Sequence, residues 1–438
     1  MENNPKNILS PLLSRPQIQK QFEHLEKAVS EAQRRIDLTA ASDPEIIKAI
    51  RVVERFLRKN RRVCYGGQAI NSLLPPKRRF YDDKTDLPDY DFFTPEPNKD
   101  MDELVQDLLK EGFTDVVKKL SVHEGTMKVM VNFVPVADCS ELHPHIFSIV
   151  QKRAKSVNGI LYCDPDFLRM MMYLELSRPR GEVERWKKVY ERLTLLNHEY
   201  PVSPCEQQIR VSGAISPEER RIILEFCQLH KRVMVGPEFI GLLEKNQMHT
   251  TMDSLVNKGG PVIFTSDKIK IDAEDIKDIL QNTLKHSGKI VIVDLFVKTD
   301  QLFNAVAIYQ KRQPICLIFE ETGCFAYTTL RMDKGNEMRV GMPDLLLHLY
   351  YSLLIFGKKE KAYFSMGLEC LVQKLHQISE RSREHPTAFL PAFGVRCSGH
   401  QRGIATLLKA RAGRTEREKS GKTKKARKAR RSTRRNQI

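Results

Sequence analysis

Apolar positions recur at helical spacing over residues 17–39, where Phe22, Leu25, Val29, Ala32 and Ile36 share one face and predict a surface helix. A second helix is predicted from Ser42-Asp43-Pro44, a capping side chain ahead of a first-turn proline, through Ile46, Ile50, Val53 and Leu57. The pattern then shortens. Arg62 to Tyr65 predicts a strand ended by Gly66-Gly67, and Ala69 to Leu74 a helix stopped at Pro75-Pro76. A polar loop, 75–88, is basic at Lys77-Arg78-Arg79 and leads into a strand at Tyr90–Thr94. Met101, Leu104, Val105, Leu108 and Leu109 mark the next helix, which Gly112 ends. Thr126 to Ala137 reads as one long apolar strand ending at Asp138.

Helical periodicity returns at Asp164-Pro165-Asp166 and runs through Tyr173. After Pro179, a helix from Glu182 carries Trp186, Val189, Tyr190, Leu193 and Leu196 on one face, with Arg185, Lys188 and Arg192 on the neighbouring one. That basic stripe reads either as a solvated face or as a triphosphate clamp. Residues 197–206 have the character of a linker.

The second half repeats the first. Arg62, Val63, Gly66, Ile70 and Leu73 recur in the same order as Arg232, Val233, Gly236, Ile240 and Leu243. Asp89 to Thr94 then aligns with Gly260 to Thr265, and Pro165-Asp166-Phe167-Leu168 with Pro343-Asp344-Leu345-Leu346. Three matches in one order favour a duplicated domain. On this alignment the second copy has Gly260 and Val262 where the first has Asp89 and Asp91, and Pro237 where it has Gly67. Only the first half could then hold a metal.

At 438 residues the chain has room for two or three domains. The longest apolar stretch, Leu345 to Phe356, contains His348 and is too short to cross a bilayer, so no membrane span is expected. The start, Met1 to Pro16, lacks the layout of a signal peptide. Nine scattered cysteines with no Cys-x-x-Cys predict reduced thiols in an intracellular compartment. Charge is uneven: residues 401–438 hold 15 Lys and Arg against Glu416 and Glu418, a local +13 that leaves only +4 of the total +17 to the rest. With few apolar groups from Arg411 onward, this end predicts a disordered basic arm. It reads equally as an RNA tether or as an import or solubility tail.

The candidate chemistry lies in the first half. Asp89 and Asp91 are two apart at a strand, so both carboxylates project from the same side. Close together they would raise each other's pKa unless a cation sat between them. Magnesium is commonly held by one or two carboxylates plus substrate phosphates. Asp138, at the end of a strand expected beside theirs, is the best third carboxylate for a two-metal site, although alone it could be a cap; Asn132 is uncharged and a poor substitute. Gly66 and Gly67 allow close backbone approach to a phosphate at the start of the following helix.

Tyr65-Gly66-Gly67-Gln68-Ala69-Ile70, Leu87 through Pro95 and Phe133 through Asp138 together resemble the nucleotidyltransferase superfamily. More narrowly, these strings and the segment Asp164 through Leu193 resemble the poly(A) polymerase catalytic subunits of large cytoplasmic DNA viruses, the giant-virus, asfarvirus and poxvirus group. The resemblance is clear over residues 40–200 and loose beyond. It implies an α+β chain: an N-terminal helical segment (1–40), a polymerase-β-like catalytic domain with a helical extension (41–200), a degenerate nucleotidyltransferase-like domain (207–398) and a disordered basic tail (399–438). The activity it implies is template-independent addition of AMP from ATP to RNA 3′ ends. By the same resemblance, Asp89, Asp91 and Asp138 would hold two Mg²⁺ or Mn²⁺ ions, and Gly66 and Gly67 would bind the triphosphate of ATP; Arg185 and Lys188 of the basic stripe are further nucleotide-binding candidates. Lys77, Arg78 and Arg79 are RNA-contact candidates. The resemblance further implies a virion and host-cytoplasm location and leaves open a homodimer or a viral processivity partner. Other RNA nucleotidyltransferases, uridylyl or oligoadenylate-forming, share the constellation, and a non-catalytic RNA-binding subunit is the reading from another class.

Overall fold

The structure, a computed structural model, describes residues 16–82, 86–123, 125–205, 215–284, 289–295, 304–357, 367–403 and 405–413. The helices that build the two halves are α1 (Pro16–Ala41), α2 (Pro44–Asn60), α3 (Gly66–Leu73), α4 (Pro97–Lys110), α5 (Pro144–Arg153), α6 (Pro165–Leu176) and α7 (Trp186–Glu199) in the first half. The second half has α8 (Pro217–Leu229), α9 (Ile269–Thr283), α10 (Pro343–Phe356) and α11 (Leu368–Glu384). The first sheet is built from β1 (Val63–Tyr65), β2 (Tyr90–Thr94), β3 (Val116–Leu120), β4 (Thr126–Val131), β5 (Val134–Glu141), β6 (Lys155–Val157) and β7 (Ile160–Tyr162), in the order β3-β4-β5-β2-β1-β7-β6.

The second sheet comprises β8 (Val233–Met234), β9 (Val262–Ser266), β10 (Ile290–Leu295), β11 (Ala305–Gln310), β12 (Gln313–Glu320), β13 (Phe325–Arg331), β14 (Glu337–Gly341) and β15 (Cys397–Ser398). Its order, β10-β11-β12-β9-β8-β14-β13-β15, repeats the first sheet strand for strand and adds one at the edge. Pairing senses repeat as well: β2 runs parallel to β5 as β9 does to β12, and β1 parallel to β7 as β8 does to β14. A partly buried ion pair marks the same place in each copy, Arg62 to Asp100 (2.6 Å) and Arg232 to Asp272 (2.7 Å). In both, the arginine precedes the first strand and the aspartate lies in the helix that follows the second.

The register corrects the alignment read from sequence by one residue. Cys64 pairs with Phe92 and Met234 with Phe264, so Asp91 corresponds to Ile263 and Asp89 to Pro261, not to Val262 and Gly260. Asp138, the partner of Asp91 across β2 and β5, corresponds to Leu317, the partner of Ile263. A slip of one residue moves every side chain to the other face, and only strand pairing fixes it.

Other expectations change too. The single strand over Thr126–Ala137 is a hairpin, because Asn132 and Phe133 take positive φ (48° and 66°) and reverse the chain between β4 and β5. Asp138 therefore lies within β5, and Asn132 sits in the turn. Four of the nine cysteines are not free thiols: Cys205–Cys370 and Cys324–Cys397 are disulfides with Cα atoms 5.0 and 5.3 Å apart. Their separations of 165 and 73 residues give no sequence signal, and the intracellular expectation loses that support. The apolar stripe of α1 stays exposed at Phe22, Leu25, Val29 and Ile36. Within the segment assigned to the disordered tail, residues 405–413 are helical; residues 414–438 lie outside the described residues.

The two halves meet through matching helices. α6 packs on α10, with Phe167 edge-on to Phe356 (6.1 Å between centroids) and His348 Nδ1 2.8 Å from the Met170 carbonyl. His376 of α11 is bonded to the hydroxyls of Tyr173 (3.1 Å) and Tyr351 (2.7 Å). α10 is buried along nearly its whole length, which explains its unbroken apolar sequence. No described helix is long and apolar enough to cross a membrane.

Candidate active site

β1 ends at Tyr65, and Gly66 turns the chain into α3 at φ +71°, a conformation that a side chain rarely adopts. The turn also lies against β2: a Cβ on Gly66 would stand 2.7 Å from Asp91 Oδ2. On Gly67 it would meet Arg192 Nη1 and the Tyr81 hydroxyl, each at 2.6 Å. Gly66 is favoured by its positive φ as well as by the carboxylate beside it, whereas a side chain at Gly67 would displace the ends of Arg192 and Tyr81.

Below the turn, Tyr65 stacks on Phe93 (4.0 Å) and meets Ser140 Oγ at 2.8 Å, which in turn lies 2.9 Å from Thr126 Oγ1. This network fixes β1, β2, β5 and β4 beneath the acidic residues. Asp91 and Asp138 are direct register partners on adjacent parallel strands. Burial pushes the Asp91 carboxyl up to about 8, reinforced by the charges of Asp89 and Asp138 and opposed by Lys128 and Arg185. Asp138 is also raised, by burial first and by Asp89, against the hydrogen bond and charge of Lys128. Lys128 Nζ lies 2.9 Å from Asp138 Oδ2, whereas Asp138 Oδ1 is buried without a hydrogen-bond partner.

Among the described residues no three His, Cys, Asp or Glu side chains stand close enough to form a ready metal cage. The donor set nevertheless fits a divalent ion that takes its remaining ligands from a substrate. Burial holds the Asp91 carboxyl up despite the charges of Lys128 and Arg185, Asp138 has an oxygen without a partner, and exposed Asp89 is within electrostatic reach of both.

The basic stripe of α7 and the turn before it faces this cluster. Arg185 acts on Asp91, and Lys188 is lowered by burial and by neighbouring Arg192 and Arg185 while Asp89 pulls the other way. Arg192 was part of the stripe, but its mounting could not be read from the sequence. Its guanidinium stacks over Phe80 (4.7 Å) and Tyr81 (5.4 Å) and donates to the Tyr81 hydroxyl (2.7 Å) directly above Gly67. The loop candidates are less available. Arg78 is paired with Glu199, and Arg79 donates to the Leu74 carbonyl (3.3 Å) and lines a separate cavity of about 310 Å³ with Tyr90. Lys77 is exposed. Lys128 beside Asp138, and Lys119 one strand further out, were missed, since their places follow only from the hairpin register.

Comparison with known proteins bears on the same segment. Residues 51–182, which hold the glycine turn and all three aspartates, match the sequence model of the family described as poly(A) polymerase catalytic subunit. The chain resembles the viral poly(A) polymerase catalytic subunits. A protein of that name from Acanthamoeba polyphaga mimivirus is 25% identical over 356 residues, covering 72% of this chain and 60% of the relative. One from African swine fever virus (strain Badajoz 1971 Vero-adapted) is 33% identical over 168 residues, 37% of this chain and 35% of that protein. The chain thus spans 60% and 35% of these subunits' own lengths, less than two thirds of either. The crystal structure of the Megavirus polyadenylate synthase superposes with a TM-score of 0.75 at 19% identity, over 92% of this chain and 84% of that one. That likeness extends the shared nucleotidyltransferase fold through the second half, beyond the family match.

Proposed function

We propose that this chain is a poly(A) polymerase catalytic subunit that adds AMP from ATP to the 3′ end of single-stranded RNA without a template. The observation that carries the reading is the pairing of Asp91 with Asp138 on neighbouring strands against the Gly66 turn, inside the segment that matches the family. Two Mg²⁺ or Mn²⁺ ions held by Asp89, Asp91 and Asp138 would supply charge neutralisation and a more acidic attacking hydroxyl. The protein's own part is positioning. Gly66 and Gly67 let the triphosphate approach the start of α3, where backbone amides lack partners within the helix. Lys188 and Arg192 face the developing phosphate charge, joined by Arg185 if it exchanges its ion pairs with Glu182 and Glu175 for phosphate, and the aromatic mounting of Arg192 limits its motion. Exposed Lys77 remains an RNA-contact candidate, with Arg78 and Arg79 secondary because both are already engaged. The viral origin of the relatives supports a viral setting, with the virion and host cytoplasm as the expected location.

The test is incubation of purified protein with a labelled single-stranded RNA, Mg²⁺ or Mn²⁺, and each nucleoside triphosphate in turn. A ladder with ATP that disappears in Asp91→Asn supports the reading. Extension with UTP in preference to ATP would make the chain a uridylyl transferase. RNA binding without extension by any nucleotide would make it a non-catalytic subunit.

A further inference from the structure

Strand register places a row of side chains across the first sheet, and its charge changes sign at one point. Tyr65 pairs with Asp91, Asp91 with Asp138, Asp138 with Lys128, and Lys128 with Lys119. Directly paired residues share a face, so the row runs from the aromatic floor through two carboxylates to two ammonium groups. At about 4.8 Å per strand, Lys119 is roughly 10 Å from Asp138 along the row. α4 lies on the other face, where Lys118 reaches its Asp102. Lys119 is exposed, and Val117 and Met130 continue the same open face toward the hairpin tip.

At that tip Phe133 is 83% exposed. It occupies the second position of a turn whose two residues both have positive φ, where glycine is ordinarily favoured. An aromatic side chain there gains little from folding, since it is neither buried nor suited to the backbone. Five residues separate it from Asp138, roughly 17 Å of strand, the reach of a few nucleotides.

The second copy of the domain serves as an internal control. Its equivalent row is Val293, Ala307, Leu317 and Ile263, each paired with the next, followed by Val235, whose amide donates to the Ile263 carbonyl. Where the carboxylates are missing the lysines are missing too, so the fold does not need them. Its hairpin turn keeps the positive φ angles, at Lys311 and Arg312, without an aromatic.

The geometry points to the open face of β3, β4 and β5 as the track of the RNA primer. Its terminal hydroxyl lies at Asp138, its last phosphodiesters on Lys128 and Lys119, and an upstream base stacks on Phe133. This rests on the polymerase reading for the identity of the strand, and the ligand class is single-stranded polyanion with exposed bases. Lys128 shields Asp138 in the protein as it stands. Bound RNA would offer that ammonium a phosphate instead.

The experiment measures binding of a fluorescent single-stranded RNA by anisotropy in EDTA, across a salt series, together with the KM for RNA, the KM for ATP and kcat. Phe133→Asn places a residue suited to the turn and should melt no lower than the parent. It should nevertheless weaken RNA binding about tenfold, while Phe133→Trp keeps it. Lys119→Ala should raise the KM for RNA and lower the salt slope by about 0.7, the loss of one single-strand phosphate contact. KM for ATP, and kcat at saturating RNA, should not move in Phe133→Asn. Parental RNA affinity and salt slope in both variants would overturn the track even if AMP transfer is intact. Weakened binding by both in a protein that transfers no AMP would uphold the track and sink the polymerase reading instead.

Discussion

Gly66 and Gly67 are constrained by what stands beyond them, Asp91 Oδ2 in one case and Arg192 with Tyr81 in the other. Gly67→Ala should therefore displace the clamped guanidinium and raise the KM for ATP at least tenfold, with little change in thermal midpoint, as kinetics and a melting curve would reveal. Asp91→Asn is expected to behave differently. It removes a carboxyl whose ionisation burial already opposes, so the variant should melt at the same temperature or higher while AMP transfer falls by three orders of magnitude or more. A variant that melts several degrees lower would show that Asp91 is structural. At this scale the sequence was informative: glycine pairs and Asp-x-Asp are chemical signals that survive without coordinates. Lys128 carried no such signal, since a lysine in an alternating strand reads as solvated until its cross-strand neighbour is known.

Elements are held in register by a few polar ties, of which the repeated arginine–aspartate pair is the clearest. Arg62 joins the start of β1 to α4, and Arg232 joins β8 to α9, with the two aspartates almost fully buried. Removing Asp100 leaves Arg62 without its counter-ion, which costs about 3–5 kcal/mol, whereas Arg232 keeps Asp267 at 2.9 Å and loses less. Asp272→Ala should lower stability by less than Asp100→Ala in urea titration, because Asp267 still pairs with Arg232, and should leave ATP affinity unchanged because the second copy lacks the carboxylates. A fall in ATP affinity equal to that of Asp100→Ala would contradict this division of labour. Helices were legible here because caps and prolines mark their ends, as Asp43 and Asp164 do. The β4–β5 hairpin was not, because Asn132-Phe133 lacks the glycine that announces such a turn.

Across the whole molecule, the halves join through α6, α10 and α11, and two histidines lie buried in that seam. Burial pulls both His348 and His376 down to about 3; the charges of Arg169 and Arg383 add to this at His376. Each is neutral in the fold but protonates in the unfolded chain near 6.5. The stability from keeping them neutral is thus complete above pH 6.5 and is lost as pH falls from there toward 3. The loss approaches about 1.4 kcal/mol per histidine for each pH unit. His376→Gln should melt with a visibly shallower dependence between pH 6.5 and 4 than the parent. Equal slopes would mean that the seam does not sense acid.

By itself the sequence determined most of the helices, the internal repeat, the resemblance to the viral poly(A) polymerase subunits and the three candidate aspartates, because these follow from local periodicity, capping and residue chemistry. It could not determine which residue faces which. The one-residue slip between copies, the hairpin, the two disulfides, the stacking of Arg192 and the lysines beside Asp138 all depend on strand pairing and on contacts between distant segments. Alternation along a strand gives two faces, and only a neighbouring strand decides which of them meets the carboxylates.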